Sequence, residues 1–182
     1  MENQRKYLTE RELKDLLRAI TTPRDRAIFT ISYWRGLRAS EVGRLTISSF
    51  DAKAGRLHIR RLKHSLEGSF LLSPAELTSM RKWLAIRGTG PGPLFTSRQN
   101  RGIGRRMLDV LMRKYCKAAG IPPHLRHFHT LKHSIGTHLL GTLDVVDVQH
   151  WLGHRDIRST MVYSQYRSQA ADEAARRVYE AA

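Results

Sequence analysis

One cysteine, sixteen acidic residues and no long apolar run define what this chain of 182 residues has little of. With Cys116 alone no internal disulfide can form, which fits a reducing compartment. No apolar stretch approaches the roughly 20 residues that a membrane span requires. The opening "MENQRKYLTERELK" has no apolar signal core. A cytoplasmic location is therefore expected. The shortage of acid is the most informative absence: 32 lysines and arginines face those 16 carboxylates, for a formal charge of +16 and a pI near 10.9. Such a surplus calls for a polyanionic partner, and nucleic acid suits it better than an anionic membrane surface. A hydrophobic content of 41% is ample for one well-buried core and short for two.

The order of elements reads as mainly α with a small three-stranded antiparallel β-sheet, an α+β class. Thr9 followed by Glu12 is a capping box, and Leu13, Leu16, Leu17 and Ile20 recur at helical spacing, predicting a helix over about 9–20. Pro23 opens a second helix that Gly36 can stop, and "RASEVGRL" reads as a short third. Between residues 45 and 73 the pattern shifts to three β-type runs, with "DAKAG" and "HSLEG" as turns. Pro74 begins a fourth helix and "GTGPGP" a surface loop. Helical patterns return in "RRMLDVLMRKYCKAAG", "HTLKHSIGTHLLG" and "VVDVQHWLG". Cys116 lies within the first of these and reads as a small packed residue. There is no internal repeat.

The positive charge is concentrated. Residues 101–133 carry Arg101, Arg105, Arg106, Arg113, Lys114, Lys117, Arg126 and Lys132 against Asp109 alone. Arginine forks and lysine point charges both bind phosphates, through contacts that do not depend on base sequence. Cutting a phosphodiester needs donors for its non-bridging oxygens, an acid for the leaving oxygen and a nucleophile. Metal-dependent sites of this kind are built on carboxylates, which are few in these segments, so a metal-free site of arginine, lysine and histidine fits better. His129 and His133 do have the i, i+4 spacing of a zinc-binding helix. The glutamate of that motif is missing, however, and no cysteine or carboxylate completes a ligand set. His129 and Lys132, at i and i+3, are instead spaced to hold one phosphate.

Four segments, "YWRGLRASEVGRL", "RRLKHS", "FHTLKHSIGTHLL" and "HWLGHRDIRSTMVY", stand in the order and spacing of the catalytic domain of tyrosine recombinases, and the chain resembles this phage integrase family over nearly its whole length. The resemblance implies the recombinase catalytic fold and a set of roles. Arg38 would grip the scissile phosphate, with Glu41 supporting it. Lys63 would protonate the departing 5′ oxygen. His129 and Lys132 occupy the family's His-x-x-Arg positions, and His154 would hydrogen-bond the phosphate. Tyr163, nine residues past His154, would be the nucleophile, with Tyr166 its structural neighbour. His133 and His138 match positions read as structural. Lys132 departs from the family pattern: a lysine keeps the charge but loses the planar fork. Arg126 and Arg158 are candidates to compensate, and Arg101, Arg105 and Arg106 complete the expected DNA contacts.

The implied activity is site-specific recombination through a 3′-phosphotyrosyl link, without ATP or metal. The implied partner is double-stranded DNA, bound by a homotetramer that is monomeric or weakly associated off DNA and is aided by accessory DNA-bending proteins. Residues 1–182 are expected to form one catalytic domain without the family's preceding DNA-binding domain, either an excised domain or a minimal recombinase in the layout of the short fimbrial-switch inverting enzymes. Two other readings stay open: a weakly active or inactive DNA-binding regulator with the same fold, and a relaxing activity of the type IB topoisomerase kind.

Overall fold

The computed structural model describes residues 5–61, 67–97 and 99–164. Helices α1 (Glu10–Ala19), α2 (Pro23–Trp34) and α3 (Ala39–Val42) come first, followed by strands β1 (Phe50–Asp51), β2 (Arg56–Ile59) and β3 (Gly68–Leu71). Helices α4 (Pro74–Arg87), α5 (Arg105–Ala118), α6 (Thr130–Leu139) and α7 (Val145–Leu152) complete the order, and helical backbone resumes over 158–164. The sheet is antiparallel in the order β1-β2-β3, with Leu57 opposite Phe50 on one side and Phe70 on the other. The predicted class, mainly helical with a small three-stranded sheet, is the one observed. The first β-type run is shorter than its sequence suggested, because Ile47–Ser49 form a 3-10 turn held by the Thr46 and Ser49 hydroxyls.

Local chemistry accounts for the boundaries. Thr9 Oγ1 accepts the Glu12 N–H while the Glu12 carboxylate accepts the Thr9 N–H at 2.7 Å, closing the predicted capping box on α1. Ser73 and Glu76 cap α4 in the same way, just ahead of and within the turn that Pro74 starts. In β2, Leu57 and Ile59 are buried while Arg56 and His58 face out, the alternation of a half-covered strand.

Helix α2 runs through the centre of the core. Phe29 meets Tyr115 of α5 and Phe128, edge to face, at 5.8 and 5.7 Å between ring centroids. Ile28 and Ile31 lie in the same core with Met80 of α4 and Leu131 and Ile135 of α6. Cys116 is fully buried and burial pushes its thiol up to about 12, so it packs as a small apolar residue, as expected.

Two contacts govern how the functional elements meet. Arg35, at the end of α2, forks onto the Glu76 carboxylate at 2.7 and 2.5 Å, with both side chains almost wholly buried. Its guanidinium lies 4.8 Å from the Trp151 ring of α7, whose indole N–H donates to Trp34 O. The loop leading into α5 crosses the end of α3 so closely that a side chain on Gly43 would meet Ile103 O, and one on Gly102 would meet Gly43 O. Only glycine permits that crossing.

Glu76→Ala is expected to leave Arg35 buried without its carboxylate and to destabilise the fold by about 3–5 kcal/mol, read from the urea midpoint at constant m-value.

Candidate active site

Arg38 is the last residue before α3, and Glu41 sits in that helix's first turn. The Arg38 N–H donates to Glu41 Oε2 at 2.8 Å, and its guanidinium pairs with Oε1 at 3.0 Å. The carboxylate is buried and Arg38 is partly exposed, so Glu41 holds the buried side of the arginine. The expected supporting role of Glu41 is what the geometry displays. Arg61 reaches the same carboxylate from beyond β2, donating to Glu41 Oε2 at 3.3 Å, Gly36 O at 3.2 Å and Arg35 O at 2.7 Å. Sequence reasoning passed over Arg61. Its signal was the alternation of β2, which places residues 57 and 59 inward and, continued by one step, residue 61 as well.

His129 stands at the N-terminus of α6, and Lys132 follows one turn into the helix. Lys132 is only 2% exposed, and its Nζ has no hydrogen-bond partner among the described residues. Burial lowers the amine to about 7, and the Arg38 and Arg61 cations add to the effect against an opposing contribution from Glu41. His129 is held near 4 by desolvation and by the charges of Lys132, His127, Arg38 and Arg105, although its exposure along the cleft lets water screen part of this. His133 packs edge-on to His129 at 4.6 Å and is also lowered to about 4, chiefly by burial. His138 bridges the Tyr33 hydroxyl and Leu8 O, both at 2.8 Å, which is the structural tie expected of it. Among the described residues no three His, Cys, Asp or Glu side chains gather as a metal site.

After α7, Gly153 turns the chain in a left-handed conformation and sends His154 inward, 5% exposed, with Nδ1 2.9 Å from the Thr160 hydroxyl. Burial first, and then Lys132, Arg38 and Arg61, hold the His154 imidazole down to about 3. Tyr163, on the 158–164 helical segment, stacks on His154 at 18° and 6.3 Å and meets the His133 ring edge at 5.8 Å. The ring lies in a notch at Gly136, where an added Cβ would come within 2.6 Å of it. The structure thus brings Arg38, His129, Lys132, His154 and Tyr163 together. Lys63 and Tyr166 lie outside the described residues.

A cleft of about 530 Å³ opens beside Arg38 and His129 and is walled by Arg105, Arg113 and Arg126. Its one acid, Asp109, accepts the Phe128 N–H at 3.0 Å and stands 3.9 Å from Arg105. Arg126 is aimed by its Nε, which donates to Ile121 O at 2.7 Å. Of the five arginines singled out as DNA contacts, Arg105 and Arg126 line this cleft. Arg101, Arg106 and Arg158 are exposed but outside its lining, and Arg158 pairs with Asp156 at 2.7 Å. Arg113 was legible as a cleft residue from its helical spacing with Arg105, two turns apart on α5.

This constellation on this fold defines a tyrosine recombinase catalytic domain. The phage integrase family model matches residues 6–170, and the chain belongs to that family. It is 32% identical over 169 residues to the type 1 fimbriae regulatory protein FimB of Escherichia coli, covering 88% of this chain and 84% of FimB. It is 34% identical over 157 residues to tyrosine recombinase XerC of Xylella fastidiosa, covering 83% of this chain and 53% of XerC. The fold matches the crystal structure of the XerH site-specific recombinase bound to palindromic difH substrate, a post-cleavage complex. That match has a TM-score of 0.79 at 23% identity, over 93% of this chain and 52% of XerH. The chain spans about half the length of these last two.

Gly136→Ala is expected to displace the Tyr163 ring at a cost of about 1–3 kcal/mol by overpacking, seen as a lowered Tm and altered near-ultraviolet dichroism. His133 and His154 are neutral when folded down to about 4 and about 3, whereas unfolded histidines titrate near 6.5. Between those values the unfolded chain binds more protons, so stability should fall as pH drops below about 6.5. His154→Asn should flatten that decline in urea titrations run at successive pH values.

Proposed function

We propose that the chain is a site-specific DNA recombinase that breaks and rejoins double-stranded DNA through a covalent link between Tyr163 and a 3′ phosphate. The observation that carries this reading is the seating of the Tyr163 ring against His154, within the cluster formed by Arg38, His129 and Lys132 beside a cationic cleft. Family membership and the charge of +16 support DNA as the partner.

In this reading a backbone phosphate enters the cleft and meets Arg38, whose buried side Glu41 already holds. Lys132 adds a point contact to a non-bridging oxygen, and His154, fixed through Thr160, adds another. Tyr163 Oη attacks phosphorus, the bond to the 5′ oxygen breaks, and Lys63 supplies the proton for the departing hydroxyl. The phenol proton passes to a neutral imidazole, His129 or His154. One phosphoester replaces another, so the reverse attack by a 5′ hydroxyl rejoins DNA with no ATP and no metal invoked. A synapse of four copies, with accessory DNA-bending proteins, is the assembly such strand exchange implies.

A second reading, a DNA-binding regulator with the same fold and little turnover, is favoured by one feature: Lys132 cannot form the bidentate clasp of an arginine. A nicked suicide duplex carrying the protein's own recombination site separates the two. The recombinase reading expects a denaturation-resistant protein–DNA adduct that is absent in Tyr163→Phe and slowed on the order of 10²-fold in Arg38→Ala. Binding without any wild-type adduct would leave the regulator. Replacing both Arg105 and Arg126 by Gln should weaken binding on all sequences and reduce the slope of log K against log salt by almost two, about 0.9 for each phosphate no longer neutralised.

A further inference from the structure

Lys132 is placed where a charged amine is at odds with its surroundings. Its aliphatic stem packs under the Gly36 turn, where a Cβ on Gly36 would lie 3.8 Å from Lys132 Cγ. Its Nζ is buried, and none of its donors is used among the described residues. The charged and titratable groups acting on it there are Arg38 and Arg61, with Glu41 between them. Among the described residues, His129 on the same turn of chain and His154 beyond α7 also lie within its electrostatic reach. Glu41 acts on the amine through its charge but accepts no hydrogen bond from Nζ: Oε1 receives Arg38, and Oε2 receives the Arg38 N–H and Arg61. Among the described residues, Arg38, Arg61 and Lys132 therefore share one carboxylate in a largely buried pocket. Guanidiniums do not release protons in proteins, so the conflict can be relieved only at the amine.

A phosphodiester reverses that balance. Its anion beside Nζ supplies both the missing countercharge and the missing acceptor, and so favours the ammonium. Resting on the recombinase reading of this cleft, we infer that Lys132 is a proton-uptake group of the DNA site: a backbone phosphate entering the cleft draws a solvent proton onto Nζ, so DNA and a proton bind together. The Nζ lone pair takes the proton, and no other bond changes. An arginine at this position is charged before DNA arrives and has no such coupling. The free amine's position near 7 places the linkage in the neutral to mildly alkaline range.

The test measures binding of a short mixed-sequence duplex at fixed salt across pH 7.5 to 9, in a Tyr163→Phe background so that no adduct forms. With the lysine present, affinity should fall by up to about tenfold per pH unit, the limit for one linked proton. Lys132→Arg should be flatter by that amount, and groups that titrate in both proteins cancel in the comparison. Parallel curves for the two would overturn the inference while leaving the recombinase reading intact. Absence of binding at every pH would overturn both. Arginine is bulkier than the buried lysine, so Lys132→Met provides a second comparison. Calorimetry at pH 8.5 in two buffers of different ionisation enthalpy should show close to one more proton taken up per duplex bound by the lysine protein than by Lys132→Met. Equal uptake would count against the inference.

Discussion

Glu41 is one carboxylate divided between two guanidiniums, and the arrangement of the site depends on that division. Arg38 reaches it from the start of α3 and Arg61 from beyond β2, while Arg61 also binds the Arg35 and Gly36 carbonyls where α2 ends. Glu76 holds Arg35 from the start of α4, and Arg35 in turn supports Trp151 of α7. Two acids thus tie five segments of chain to one point. Buried ion pairs are poor sources of net stability, because desolvation offsets most of their attraction. Their contribution here is geometric. A long flexible side chain such as that of Arg38 is restricted to few orientations when a buried carboxylate holds it.

The electrostatics of the cluster are those of several cationic and titratable groups crowded together. Lysine and imidazole groups that titrate near 10 and 6.5 in water are all pushed toward neutrality, first by burial and then by one another. The protein tolerates this because the groups are held in place by packing: the His154 ring lies between Thr160 and the face of Tyr163, and Lys132 lies within α6. Groups fixed in place before an anion arrives are the form of preorganisation that favours developing negative charge.

Much of this was legible in the sequence. The capping residues Thr9 and Ser73, the stops at Gly36 and Gly120 and the alternation in β2 all state local rules that the fold obeys. The ordered motifs singled out Arg38, His129, Lys132, His154 and Tyr163, which the structure brings to one place although they span 126 positions of chain, from 38 to 163. What did not read from sequence was depth. At i, i+3, His129 and Lys132 look like two residues on one exposed face, but His129 is exposed at the cleft whereas Lys132, one turn on, is buried. Likewise Arg101, Arg105 and Arg106 are equal members of a basic run on paper. Of these only Arg105 lines the cleft: Arg101 lies in the loop ahead of α5, and the helix turns Arg106 away by roughly 100°.

The crossing of Gly43 and Gly102 bears on how this cleft can change over time. The separation between the Arg38 wall and the Arg105 wall is set there by main chain touching main chain, not by side chains filling a space. Substitutions among the lining residues can therefore retune charge, reach and preference for one DNA backbone trajectory over another while the width of the slot stays the same. The two glycines act as a gauge block, and the variable parts of the cleft are free to vary because that dimension is not.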